Sequence, residues 1–115
     1  MVTVVSSDHV LPGVGMEELT ASAKVNRASL MDQRFRKWVA ARVYAHLRCE
    51  WGHVPAMLAE QNFASVVLGG PIISRWPFDG DALLVVHDSQ HTRVTVVFES
   101  EQQFNISGPQ LQEVT

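Results

Sequence analysis

The chain has 115 residues and a formal net charge of −3, and 46% of its residues are hydrophobic while 18% are charged. This length is typical of one domain, and so large an apolar fraction excludes a wholly disordered chain. We therefore expect residues 1–115 to form a single domain.

The cysteine content and the distribution of apolar residues indicate in which cellular compartment the protein resides. Cys49 is the only cysteine, so the chain cannot form an internal disulfide. No basic residue precedes the short apolar run at the N-terminus, and no apolar stretch approaches the roughly 20 residues that span a bilayer. We expect a cytoplasmic protein with no membrane partner.

The first elements are short. Residues 1–6 are rich in β-branched side chains and predict a strand. Residues 7–20 contain one proline and two glycines and predict a loop, within which residues 16–19 fit one helical turn.

The longest uninterrupted pattern predicts a helix over residues 29–51. This segment lacks Gly and Pro, Ser29 is a suitable N-cap, Asp32 suits the first turn, and Gly52 is suited to end the helix. Its apolar residues form one arc at helical spacing, which should pack on a sheet. The arc comprises Met31, Phe35, Val39, Val43 and Leu47.

The second half of the chain predicts mainly strands. A short helix over residues 54–61 should end at Asn62, and Gly69-Gly70 should join strands 63–68 and 72–76 as a hairpin. Residues 77–80 predict a turn, residues 82–87 and 93–99 a second hairpin, and residues 104–106 a last short strand. The predicted fold class is α+β, with one long and one short helix packed on a curved antiparallel β-meander of four to six strands.

Two groups of side chains have the chemistry of metal or catalytic sites. His46, Cys49 and His53 would lie on one side of a continuous helix, and histidine and cysteine are good zinc or copper ligands. His87 and His91 flank a predicted turn. We interpret the first group as core residues and the second as turn residues, because nothing beside them resembles a known catalytic signature. We therefore assign no catalytic residue, metal ligand or cofactor.

Charge is distributed unevenly along the chain. Residues 24–48 contain seven basic residues and one acidic residue, whereas the rest of the chain contains two basic and eleven acidic residues. The helix should therefore carry a basic surface. Its candidate binding residues are Arg34, Lys37, Arg42 and Arg48, and those of the acidic sheet are Asp79, Asp81, Asp88, Glu99 and Glu101.

These observations predict a small non-catalytic protein–protein interaction module, of the inhibitor or immunity type found in bacteria and phages. The acidic residues would bind a cationic partner protein. The alternative is a nucleic-acid-binding protein that uses the basic helix 29–51. A second alternative is a small-ligand or metal-dependent enzyme with its site in the concave face of the sheet.

Overall fold

The computed structural model describes residues 13–102, which form an α+β domain. Three α-helices and four strands occur there in the order β1 (Glu18–Ala21), α1 (Ala23–Met31), α2 (Gln33–Leu47), α3 (Ala56–Leu68), β2 (Ile72–Phe78), β3 (Asp81–His87) and β4 (Arg93–Phe98), and a 3-10 turn (Glu99–Glu101) follows. None of these helices is long and apolar enough to cross a membrane.

The sheet is mixed rather than purely antiparallel. Its strand order is β1-β4-β3-β2, and β2, β3 and β4 form the antiparallel meander that the sequence predicts. The turn between β2 and β3 contains Asp79 and Gly80, both with positive φ. Strand β1 pairs in parallel with β4, so the prediction of a helical turn over residues 16–19 was wrong. The strands predicted over residues 1–6 and 104–106 lie outside the described residues.

The predicted long helix is two helices that meet at Asp32. This residue has extended backbone angles, and its carboxylate accepts hydrogen bonds from the N–H groups of Arg34 (2.9 Å) and Phe35 (3.4 Å). It therefore acts as the N-cap of α2, a role that short acidic side chains perform well. The assignment of Ser29 as an N-cap was wrong, because Ser29 lies inside α1. Helix α2 ends at Leu47, ahead of Gly52.

The predicted strand over residues 63–68 is helical, and the predicted Gly69-Gly70 hairpin does not exist. Helix α3 continues past Asn62, whose side-chain amide donates to the carbonyl of Ile73 (2.8 Å) and accepts from its N–H (3.1 Å). Because these bonds satisfy a polar side chain inside the protein, Asn62 supports the helix instead of ending it. The helix ends at Gly69, which has a φ of 90°.

The main core lies between the sheet and helices α1 and α2. Val25, Phe35 and Val43 from the helices pack on buried side chains of β3 and β4, and two aromatic residues of β2 are partly buried against them. Val39 and Leu47 are partly buried against this cluster, which confirms most of the predicted arc. Met31 is 82% exposed because it ends α1. A smaller cluster, in which Leu58 of α3 packs on Leu84, lies on the opposite face of the sheet.

The outer edge of β2 is covered by the loop between α2 and α3. The N–H of Arg75 donates to the carbonyl of Trp51 (3.0 Å), and the N–H of His53 donates to the carbonyl of Arg75 (2.8 Å). Gly52 lies between these bonds with a φ of 69°, and a side chain there would collide with the Arg75 carbonyl. Loop and strand can therefore approach this closely only with glycine at position 52.

Candidate functional site

A buried chain of hydrogen bonds joins α2 to β2 and β3. The Nδ1 atom of His46 lies 2.7 Å from the hydroxyl of Ser74, and its Nε2 atom lies 2.9 Å from Nδ1 of His87. The Nε2 atom of His87 lies 2.8 Å from the carbonyl oxygen of Gly15, and the indole N–H of Trp76 donates to the Ser74 hydroxyl. His46, Ser74 and His87 are fully buried.

The positions of the protons along this chain follow from its two ends. A carbonyl only accepts hydrogen bonds, so Nε2 of His87 carries a proton and its Nδ1 is the acceptor in the neutral ring. Nε2 of His46 then donates to His87, and Nδ1 of His46 accepts the proton of the Ser74 hydroxyl. With both imidazoles neutral, every bond in the chain has one donor and one acceptor.

The electrostatic environment agrees with neutral rings. Burial and the neighbouring His87 lower the pKa of His46 from 6.5 to about 3. Burial also lowers the pKa of His87, and its bond to the Gly15 carbonyl only partly opposes this effect. A charged imidazole in this core would lose its hydration without gaining an ion pair.

A serine beside a histidine can act as a nucleophile and its base, but the geometry of Ser74 and His46 indicates a structural role. A substrate would have to reach the Ser74 oxygen, which is fully buried and already accepts the Trp76 N–H. The four ring nitrogens of His46 and His87 are also engaged. The arrangement joins a helix, two strands and the segment before β1 by directed hydrogen bonds, and it offers neither a reachable nucleophile nor an open ligand position.

The structure separates His46, Cys49 and His53. Helix α2 ends before Cys49, which has a left-handed φ of 67°, and His53 lies exposed in the following loop. Burial raises the pKa of the Cys49 thiol. In residues 13–102, no group of three or more His, Cys, Asp or Glu side chains is placed to hold a metal ion.

The turn between β3 and β4 brings His87 and His91 near each other, with ring centroids 5.6 Å apart. The carboxylate of Asp88 accepts from the N–H groups of Thr92 (2.8 Å) and Arg93 (2.9 Å). These hydrogen bonds lower the pKa of Asp88 to about 2, and the bond from the Arg93 N–H has the largest effect. His91 bonds the carbonyl of Gly70 through Nε2 (2.9 Å). These contacts order the turn and the segment after α3.

The predicted acidic residues do not form one surface. Asp88 lies in the turn after β3, while the others lie at the opposite end of that strand. Most of them have internal partners: Asp81 accepts from Ser100, Glu99 accepts twice from the Arg75 Nε and once from its Nη2, and Glu101 accepts from Ser22 and Phe98. Asp79 is exposed in the turn between β2 and β3.

The predicted basic residues lie on α2 and at its end. Arg34 and Lys37 are exposed, and within the described residues neither takes part in an ion pair. Arg48 pairs with Glu50 at 3.2 Å, and both side chains are about half exposed. Arg42 is half-buried beside Trp38 and Trp76.

The most unusual surface belongs to α3, where the sequence predicted a short helix over residues 54–61 and a strand over residues 63–68. Met57, Phe63, Val67 and Leu68 are 60%, 54%, 80% and 82% exposed. Only Leu58 and Asn62 of this helix are buried. The sequence signal that was missed is the segment directly after Pro55, which has no basic residue and no Gly or Pro before Gly69 and is rich in apolar residues. We call the exposed side chains Met57, Phe63, Val67 and Leu68 the α3 surface.

Comparisons with known proteins add no relative. No protein-family model matches the chain. Searches among curated proteins and among solved structures found no match either.

Proposed function

We propose that this protein is a small non-catalytic interaction module that binds a partner protein through the α3 surface. The observation that supports this most strongly is the exposure of four large apolar side chains on the outward side of one helix. Exposed apolar patches of this kind are typical of binding surfaces.

The energy available at the α3 surface is sufficient for specific association. Complete burial of a side chain such as Leu, Val, Phe or Met contributes about 1.5–3 kcal/mol. The members of the α3 surface are between 54% and 82% exposed, so a partner can cover most of each side chain. They are held on a helix, so binding them requires little ordering of the backbone.

The charge of α3 indicates the chemistry of the partner. Glu60 is exposed among the apolar side chains and is the only charged residue in the helix. A partner that covers this surface must therefore bring Glu60 a basic side chain, since an unpaired buried carboxylate is costly. The occupant that we propose is a protein with an apolar patch that contains a lysine or arginine. An inhibitor or immunity-type protein acts in this way, by covering part of a cationic partner.

A catalytic role has less support in the described part of the chain. The serine and histidines that have catalytic chemistry are buried and satisfy one another. The acidic residues also support binding less well than α3 does, because most of them accept hydrogen bonds from the domain itself.

The test uses purified components. A partner captured from the native host should be purified and titrated calorimetrically against the wild type, Val67→Lys, Glu60→Lys and the control Arg34→Gln. We expect a 1:1 complex whose affinity falls at least tenfold in Val67→Lys and in Glu60→Lys but is unchanged in Arg34→Gln. All four proteins should have the same circular dichroism spectrum, because these positions are exposed.

Three results would overturn the proposal. A captured protein that binds Val67→Lys as tightly as the wild type does not use the α3 surface. A concentration-dependent homodimer that Val67→Lys dissociates would assign the surface to a second copy of the chain. Binding to neutral phospholipid vesicles that requires Val67 would assign it to a membrane.

The second candidate function is nucleic-acid binding through α2, and the observation that favours it is the unpaired exposure of Arg34 and Lys37. Phosphate contacts release counterions, so the affinity for mixed-sequence DNA or RNA would fall steeply with salt. Gel-shift titrations at two salt concentrations, with an Arg34→Glu and Lys37→Glu double variant, test this. Salt-insensitive or variant-insensitive binding would contradict it.

A further inference from the structure

The side chain of Arg42 contacts two aromatic rings but keeps one buried donor atom without a partner. Its guanidinium carbon is 5.5 Å from the ring centroid of Trp38, one turn earlier in α2, and 5.1 Å from that of Trp76 in β2. The Nε atom is buried and has no hydrogen-bond partner. Arg42 forms no ion pair within residues 13–102.

Two other arginines of the domain have the carboxylate partner that Arg42 lacks within residues 13–102. Arg75 is 3.1 Å from Glu99 and Arg93 is 3.2 Å from Glu18. The Arg75 and Glu99 side chains are only 18% and 13% exposed, so the domain pairs a half-buried arginine where a carboxylate is in reach. Arg42 loses hydration without such a carboxylate, and two indole faces replace only part of that hydration.

We propose that Trp38, Arg42 and Trp76 form a second binding site, which takes a carboxylate presented by a protein partner. The guanidinium is a planar fork, and a carboxylate can accept two parallel hydrogen bonds from it. Since Nε is enclosed, the ligand bonds the two terminal nitrogens. Trp and Arg are also the side chains most enriched at the energetic centres of protein interfaces.

The half-buried position favours a carboxylate side chain or chain terminus over a nucleic-acid backbone. Trp38 and Trp76 both pack against the core on the α2 side of the sheet, and both are half-buried beside the guanidinium. A slim terminal group can reach it, whereas a phosphodiester carries a sugar on each side. The site is independent of the α3 surface, because it involves a different helix and different residues.

The experiment is an NMR titration of the whole chain with sodium acetate at neutral pH, compared with sodium chloride and sodium phosphate at equal ionic strength. The signals to follow are the Arg42 Nε–H and the indole N–H groups of Trp38 and Trp76. The buried Trp51, which contacts His46 and Phe63 instead, is the internal reference. We expect saturable shifts with acetate at millimolar concentration, with the Trp51 signal unchanged.

Matched variants identify the residue responsible. Arg42→Gln should weaken acetate binding at least tenfold, and the exposed control Arg36→Gln should not change it. If Arg42→Gln fails to fold, Arg42→Lys keeps the charge but lacks the planar fork, and it should also weaken binding. Equal responses to acetate and chloride, saturation by phosphate alone, or unchanged acetate binding in the folded Arg42 variant would each overturn the proposal.

Discussion

At the scale of single residues, the domain depends on polar side chains that are buried and fully satisfied. His46, Ser74 and His87 are held by bonds between 2.7 and 2.9 Å that connect elements far apart in the sequence. Such a chain of hydrogen bonds fixes the relative positions of α2, β2 and β3, because each bond forms only when its donor points at its acceptor. Its cost is sensitivity to acid, since the core accepts these imidazoles only when they are neutral.

We predict that the free energy of unfolding decreases as the pH is lowered from 7 to 5. Below about pH 6.5 the unfolded chain protonates His46, whereas in the folded state its pKa is about 3. Unfolding therefore takes up a proton in this range, and His46 alone should contribute a slope of about 1.4 kcal/mol per pH unit. His87 acts in the same direction.

Urea unfolding at pH 5, 6 and 7 measures this slope. His46→Leu should be less stable at pH 7 and should show a smaller slope than the wild type. His53→Gln is the matched control, because it removes an exposed histidine outside the buried chain. The same slope in His46→Leu as in the wild type would show that His46 is not held neutral.

Asn62 gives a second prediction at this scale. Asn62→Leu would leave both the N–H and the carbonyl of Ile73 without partners at the edge of β2, which should cost about 3 kcal/mol. Chemical denaturation measures the loss, and the exposed neighbour Gln61→Leu is the control. Equal stability of the two variants would contradict the role given to Asn62.

At the scale of elements, what could be predicted from sequence was determined by local patterns. Strand β4 alternates in part between apolar and polar residues, and both strands of the β3–β4 hairpin were predicted within one residue at each end. The run over residues 63–68 is apolar without alternation, and periodicity alone cannot tell such a strand from a helix. Its helical state depends on Asn62 meeting Ile73, a contact that sequence does not reveal. Strand β1 forms by pairing with β4, which is distant from it in the sequence, so local patterns do not predict it.

The boundary between α1 and α2 supplies the prediction at this scale. Asp32→Ala should lower the free energy of unfolding by about 1 kcal/mol, because α2 loses the side chain that caps two of its N–H groups. Asp32→Ser retains a capping oxygen and should lose less. Denaturant unfolding of the two variants measures the difference, and an Asp32→Ala variant as stable as the wild type would contradict the cap.

At the scale of the whole molecule, the two faces of the sheet have different chemistry. Helices α1 and α2, with most of the basic residues, cover one face, and α3 packs toward the other with its apolar residues outward. The charge asymmetry was visible in the sequence, but the α3 surface was not, because three of its four residues were assigned to a strand over residues 63–68. Arg42 was predicted as a binding residue, but its position between Trp38 and Trp76 was missed, since it depends on two elements that are distant in the chain.

The most direct test of the α3 surface is photo-crosslinking in the native host. A photoreactive phenylalanine analogue would be placed at Leu68 on α3 or, as a control, at Tyr44 on α2, which is 65% exposed. We predict one adduct with a different protein from position 68, lost when Glu60→Lys is added, and none with that protein from position 44. An adduct from position 44 alone, only self-adducts of twice the chain mass, or no adduct from position 68 would contradict the proposed function.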